Sequence, residues 1–216
     1  MSGLRLGLWS STCRDGGKMV SWHDCWFGDQ LIIRAGALSP DSEVSVISGP
    51  SGVGKTTLLR GICRHNQSLN PRLVFQEPTL LPWLSVTDNL RVVCREESLQ
   101  KHWLDLFDLP RVGDLRPGQL SLGMQRRISI IRGILAKPGL LLLDEPSASL
   151  DPENIERLIT NIQVASRESS VPILVVTHNP IDFNDLKPSY YQLIGRPAEI
   201  LRSTLSNRIR GSELSR

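Results

Sequence analysis

Nine residues, Gly49-Pro50-Ser51-Gly52-Val53-Gly54-Lys55-Thr56-Thr57, stand between an apolar β-branched run, Val44 to Ile47, and a stretch of helical period opened by Leu58 and Leu59. A Gly-rich turn in that position constrains the fold more than any other feature of the chain. Its glycines let backbone N–H groups turn inward as a nest, and the start of the following helix adds partial positive charge, so the turn is suited to cradle phosphate oxygens. Lys55 is then expected to bridge the β- and γ-phosphates of a nucleoside triphosphate, with the Thr56 hydroxyl on Mg²⁺. A strand must lead in and a helix must lead out, which commits the chain to an α/β architecture.

The rest of the sequence agrees. Short apolar runs expected as strands at Val44 to Ile47, Leu73 to Phe75, Leu140 to Leu143 and Ile173 to Val176 are apolar on both faces, the pattern of parallel strands covered by helices. Between them lie helical segments with recognisable starts. Asp151-Pro152-Glu153 offers an N-cap, a Pro at the first helical position and an acid in the first turn. Ser85-Val86-Thr87-Asp88 resembles a capping box with Asp in place of Glu. From Ser85 to Leu120 two helical patterns follow one another with no convincing strand, so a helical insertion is expected over about 77–120. Residues 1–17 read as an N-terminal extension, 18–202 as the folded domain and 203–216 as a polar tail.

Of the 216 residues 40% are hydrophobic and 22% charged, which excludes a disordered chain. No run approaches the roughly 18 to 20 apolar residues of a membrane helix. The net charge of +3 comes from Arg spread along the chain, not from a basic arm, so no nucleic-acid partner is expected. Cys13, Cys25, Cys63 and Cys94 form no C-x-x-C pair, which argues against a zinc site or redox dithiol and fits a reducing compartment.

The run Leu140 to Leu143 ends in Asp144-Glu145-Pro146. Strand alternation sends adjacent side chains to opposite faces, so these two acids can take two roles. Asp144 is expected to reach the Mg²⁺ shell, and Glu145 to polarise the water that attacks the γ-phosphate. Leu120-Ser121-Leu122-Gly123-Met124-Gln125 precedes a long amphipathic pattern, with Ser121 as N-cap.

Taken with these motifs, the chain resembles the ATP-binding subunit of ABC transporters, a P-loop NTPase family with a mostly parallel sheet flanked by helices. That family's signature is L-S-G-G-Q, and Ser121 and Gly123 match the positions that grip ATP held by the opposite subunit, whereas Leu122 replaces the first glycine. The resemblance implies that Gln76 joins the catalytic site to the membrane-facing helices and contributes to the Mg²⁺ site, that Ser149-Leu150-Asp151 communicates across a dimer, and that His178 contacts the γ-phosphate. It further implies an aromatic residue stacked on adenine. Trp26 is the expected one, with Phe27 and Trp22 as competitors. The motifs run in order over roughly residues 18 to 200.

Only 20 residues separate Lys55 from Gln76, too few and too polar for the antiparallel hairpin usual in the family. A reduced antiparallel β-subdomain is therefore expected, with ATP binding that is weaker or more dependent on the dimer. The function implied is ATP hydrolysis that drives solute movement through separate multi-span permease subunits. A homodimer or heterodimer, a peripheral place on the cytoplasmic face of the plasma (inner) membrane and a solute-binding protein in the same system are implied with it. The stretch Pro78-Thr79-Leu80-Leu81-Pro82-Trp83 is most similar to importers of nitrate, sulfonates and taurine. A soluble ABC-type ATPase of translation or DNA repair is the alternative. Such relatives usually join two domains or insert a coiled coil, and neither is visible in this chain. A regulatory module without turnover and a P-loop kinase account less well for Lys55, Glu145, Gln76, His178 and Ser121 together.

Overall fold

The apolar runs expected as strands lie side by side in the computed structural model, which describes residues 19–39 and 42–203. In chain order the elements are β1 (Val20–Trp22), β2 (Cys25–Phe27), β3 (Gln30–Ile33), β4 (Gly36–Leu38), β5 (Val44–Ser48), α1 (Lys55–His65), β6 (Arg72–Val74), α2 (Val86–Arg91) and α3 (Glu97–Leu106). There follow α4 (Leu122–Leu135), β7 (Leu141–Asp144), α5 (Pro152–Ser169), β8 (Ile173–Thr177), β9 (Ser189–Gly195) and β10 (Ala198–Ser203). Eight strands form one sheet in the order β2-β3-β10-β9-β5-β8-β7-β6, and β1 pairs with β4 apart from it.

From β9 to β6 the strands run parallel, with β5 between β8 and β9. Helices cover both faces, and the alternation of side chains decides which helix each residue meets. Leu141, Leu143, Ile173 and Val175 join Ile128, Ile131, Leu158 and Ile162 of α4 and α5 in one core. Leu142, Leu174, Val176 and Ile47 join Leu58, Leu59 and Ile62 of α1 in the other. Each expected strand is present within about a residue of its expected bounds. Leu73 to Phe75 shifts to Arg72–Val74 because Arg72 pairs with Leu141 and Val74 with Leu143, which leaves Phe75 beyond the sheet.

The helical insertion forms as expected. Ser85 caps α2 by accepting from the Asp88 N–H at 3.1 Å, and Leu90, Trp103 and Phe107 bury the apolar sides of α2 and α3 against the α4 core. No strand lies between residues 77 and 120. The expected shortening after the phosphate loop is also present: α1 ends at His65, a 3₁₀ turn spans Gln67–Leu69, and the chain enters β6 with no intervening hairpin. The antiparallel part comes instead from β1–β4, β2–β3 and β9–β10. The expected extension over 1–17 lies outside the described residues, and of the tail over 203–216 only Ser203 is described, where it ends β10 opposite Tyr190. Among the described residues no helix is long and apolar enough to cross a membrane.

Candidate functional site

The loop from Gly49 to Gly54 leaves β5 at the C-terminal edge of the parallel strands, and Gly54 is the N-cap of α1. Gly52 and Gly54 have φ of +75° and +110°, a region in which a side chain is strained. At Gly54 a Cβ would also come within 3.0 Å of Ile32 Cγ2. Both glycines are thus required by backbone shape, independently of any ligand. Lys55 opens α1 and folds back over the loop, its Nζ donating to the Gly49 and Pro50 carbonyls at 3.0 and 3.2 Å.

Asp144 ends β7 on the same side as Leu142, the side that meets α1, and there Thr56 Oγ1 donates to Asp144 Oδ2 at 2.7 Å. Asp144 is 4% exposed. Burial pushes its carboxyl up from the usual value, opposed by the Thr56 hydrogen bond and reinforced by the neighbouring Glu145 charge. Its other oxygen, Oδ1, is buried without a hydrogen-bond partner. An orphaned carboxylate oxygen beside a threonine hydroxyl at a phosphate loop is a donor set that suits a hard divalent cation.

Glu145 leaves the strand in a left-handed turn, φ +46°, with its N–H donating to Val176 O at 2.9 Å. The turn aims its carboxylate away from Asp144. Oε1 lies 3.1 Å from Lys55 Nζ, and Oε2 accepts from the His178 backbone N–H at 3.1 Å with the ring Nδ1 at 2.8 Å. A carboxylate only accepts, so Nδ1 carries the proton in this pair. Burial alone would raise the Glu145 carboxyl, but the hydrogen bonds from His178 and Lys55 outweigh it and hold the group below its ordinary value.

Lys55, Thr56, Asp144 and Glu145 line one cavity of 440 Å³, which also takes in Gln76, two residues past the end of β6, and Ser51, Gly52, Gly54 and Thr57 of the loop. Pro50 and Val53 face an adjoining hollow on the loop's other side, beside Arg196. His178, a residue past β8, reaches the cavity through Glu145. Five stretches distant in sequence are thus brought to one edge of the sheet.

The aromatic residues near the loop border two different cavities. Trp26 does not line this cavity. It borders a neighbouring one of 560 Å³ with Arg60 and Arg64, whereas Phe27 borders both. The pairing of β2 with β3 is irregular between Cys25 and Trp26. Trp22 is core, 3% exposed, with its indole N–H on Arg34 O at 2.8 Å.

Ser121 caps α4, its Oγ accepting from Met124 N at 3.3 Å. Gly123 is buried where α4 crosses the start of α5, and a Cβ there would stand 2.8 Å from Asn154 Oδ1. Neither residue lines the Lys55 cavity of its own chain. Leu122, the first departure from L-S-G-G-Q, is 40% exposed. A second departure went unread in the sequence: Met124 occupies the glutamine position, packed against the core. Counting the signature one residue at a time would have found it. Asp151 caps α5 as expected, accepting from Asn154 N at 2.9 Å, and its hydrogen bonds from Asn154 lower its carboxyl.

Comparison with known proteins places this arrangement. The ABC transporter family profile matches residues 65–148. The chain is 36% identical over 204 aligned positions to the aliphatic sulfonates import ATP-binding protein SsuB 1 of Pseudomonas aeruginosa (strain UCBPP-PA14), covering 82% of this chain and 81% of that one. It is 34% identical over 185 positions to the glutamine transport ATP-binding protein GlnQ of Bacillus subtilis (strain 168), with 70% and 76% covered. Among solved structures, the ADP conformation of an ATP-binding cassette of an ABC transporter superposes with a TM-score of 0.72 over 92% of this chain and 98% of that one. At 17% identity that likeness speaks for the fold.

Proposed function

This chain belongs to the ABC transporter family as an ATP-binding subunit of an importer, and from that premise we propose how its own residues bind and hydrolyse ATP. Such subunits are ATPases coupled to import and act with membrane permease partners, so the chain is membrane-associated through them. The import-type relatives set aside the alternative of a soluble ATPase in translation or DNA repair.

In the proposed cycle the triphosphate enters the loop Gly49 to Thr57, and Lys55 Nζ exchanges the Gly49 and Pro50 carbonyls and Glu145 for β- and γ-phosphate oxygens. Glu145, released from Lys55 but still held by His178, accepts a proton from the water whose oxygen attacks the γ-phosphorus. The bond from that phosphorus to the bridging oxygen of ADP breaks, and ADP and phosphate leave. His178 holds the carboxylate at its angle and donates charge stabilisation at the γ-phosphate edge. Thr56, Asp144 and Gln76 would hold Mg²⁺, which when bound neutralises charge between the β- and γ-phosphates. The orphaned Asp144 Oδ1 supports that assignment. The base stacks on Phe27, which stands 80% exposed at the mouth of the cavity.

Ser121 and Gly123 lie apart from their own chain's phosphate loop, which supports a head-to-tail dimer in which each signature helix start faces the partner's ATP. The permease is proposed to meet the exposed Trp83 and the end of α2, at Val92 and Val93, on the cytoplasmic face of the membrane. A solute-binding protein and a small organic anion of the aliphatic sulfonate kind complete the proposed system, in keeping with the relatives' names.

The observation that carries the mechanism is the clamp on Glu145, between Lys55 on one oxygen and His178 on the other. Its test is Glu145→Gln. ATP turnover should fall about 100-fold or more while ATP remains bound in a dimer that gel filtration detects. Turnover at the wild-type rate would remove Glu145 from the role of base.

A further inference from the structure

Arg126 is 5% exposed, and among the described residues no carboxylate pairs with it. A buried guanidinium without an anion is costly unless its hydrogen bonds are themselves the purpose. Its NH1 donates to two main-chain carbonyls, Pro146 O at 3.0 Å and Ala148 O. Both belong to the turn that begins at Glu145.

Beyond the bond from the Glu145 N–H to Val176 O at 2.9 Å, the main-chain bonds of this turn among the described residues are long. Glu145 and Ser149 both sit at positive φ, +46° and +60°, which neither side chain favours. Within the turn the Ala148 N–H reaches Glu145 O at 3.2 Å and the Leu150 N–H reaches Ser147 O at 3.3 Å, long contacts for main-chain bonds. Arg126 closes the loop from outside by satisfying the carbonyls that face the core.

The same face of α4 makes a second contact. Gly123 lies three residues before Arg126, hence on the same side of the helix, and its missing Cβ lets α4 approach Asn154, whose main-chain N–H Asp151 caps. So the first turn of α4 is seated on the start of α5, and the next turn is tied by Arg126 to the segment between β7 and α5.

We infer that Arg126 is a positioning residue for Glu145, fixing the turn at Pro146 and Ala148 so that the carboxylate keeps its place between Lys55 and His178. It binds the start of α4 and the Glu145 turn into one piece. A displacement of the α4 start, where Ser121 stands, is thereby passed to the carboxylate of the same chain. This rests on the proposed role of Glu145 as base, and Arg126 itself touches no reacting atom.

The test uses the full chain and compares Arg126→Met, which keeps the stem and removes the donors, with Arg126→Lys, whose ammonium can still donate to a carbonyl. For Arg126→Met, kcat should fall about 10- to 100-fold, the scale of a misplaced catalytic group. ATP affinity measured by calorimetry should stay within about twofold, and amide exchange at Ala148 and Leu150 should quicken. Arg126→Lys should recover at least part of kcat. A folded Arg126→Met with wild-type kcat, or one whose loss lies wholly in ATP affinity and is not relieved by Lys, overturns the inference. Should Arg126→Met not fold, Arg126→Gln is read in its place with the same two outcomes. Glu145→Gln run alongside separates the two readings. If it turns over ATP as the wild type does, the role of Glu145 fails, while the amide exchange still reports whether Arg126 holds the turn.

Discussion

His178 meets Glu145 twice, through its backbone N–H at 3.1 Å and its ring Nδ1 at 2.8 Å, both on the same oxygen Oε2. The folded protein therefore favours the ionised carboxylate. Its pKa lies below the ordinary value because these bonds and those from Lys55 outweigh the cost of burial. A lowered carboxyl adds stability that is present above the unfolded pKa and fades as pH falls through the folded one. His178→Ala removes the ring donor and should move the acid limb of the ATPase pH profile to higher pH, with a smaller loss of stability on acidification. Identical acid limbs in the two proteins would show that the ring does not tune the carboxylate.

Phe27 and Trp26 separate two readings of the base site. Stacking on an aromatic ring is worth about 1–3 kcal/mol per base. Phe27→Ala should accordingly raise the KM for ATP by roughly fivefold or more, whereas Trp26→Ala should change it by less than about threefold. Steady-state ATPase assays on both variants decide between them, and the opposite order of effects would restore Trp26.

Leu122 is the first residue of α4 and 40% exposed, on the helix start that the proposed dimer turns toward its partner. Leu122→Gly should leave ATPase equal or higher, at a stability cost of no more than about 1 kcal/mol. A collapse of turnover in a folded protein would mean that the leucine itself makes a contact the cycle needs.

Asn89 is fully buried and ties the Pro-rich strap, residues 78–84, to α2. The two N–H groups of its Nδ2 are shared among the carbonyls of Leu81, Leu84 and Ser85 at 3.1, 3.3 and 3.0 Å, and its Oδ1 accepts from Leu81 N at 2.8 Å. Arg132 joins from α4, donating to Thr79 O at 2.7 Å. Asn89→Ala strands several buried groups at about 1–3 kcal/mol for each left unpaired, so urea unfolding should register a loss of at least about 2 kcal/mol. A loss under about 1 kcal/mol would mean that the strap is held by other contacts.

Trp83, 67% exposed on the same strap, should matter only in the assembled transporter. Trp83→Ala is expected to leave the isolated chain's ATPase within about twofold and to weaken its copurification with the permease. Retention of full assembly would move the proposed docking surface elsewhere.

The parts of this fold that could be read from sequence were those whose cause is local. The strands β5, β7 and β8 are apolar on both faces because both faces are covered, and the caps Ser85, Ser121 and Asp151 satisfy N–H groups three residues away. The positions of β1, β2, β3, β4, β9 and β10, which make the reduced antiparallel part, could not be placed from sequence. Several are three or four residues long, and β2 owes its place to pairing with β3 at the sheet edge. Which cavities Trp26 and Phe27 border depends on where that edge strand lies, which no side chain announces. The ion pair from Lys55 to Glu145 and the hydrogen bonds of Arg126 join distant residues, so they appear only once the sheet and α4 are in place.

The pairing of β7 with β8, Leu142 opposite Leu174 and Asp144 opposite Val176, has a consequence for how the two neighbouring acids differ. Aspartate and glutamate are nearly the same acid in water. Here one side of the sheet hands Asp144 to Thr56, and the turn beyond it hands Glu145 to Lys55 and His178. Their distinction is one of place, since Asp144 is the last residue of the ribbon and Glu145 the first of the left-handed turn beyond it. A slip of β7 by a single position would keep every residue of the site in the chain and still turn Asp144 to the other face, away from Thr56.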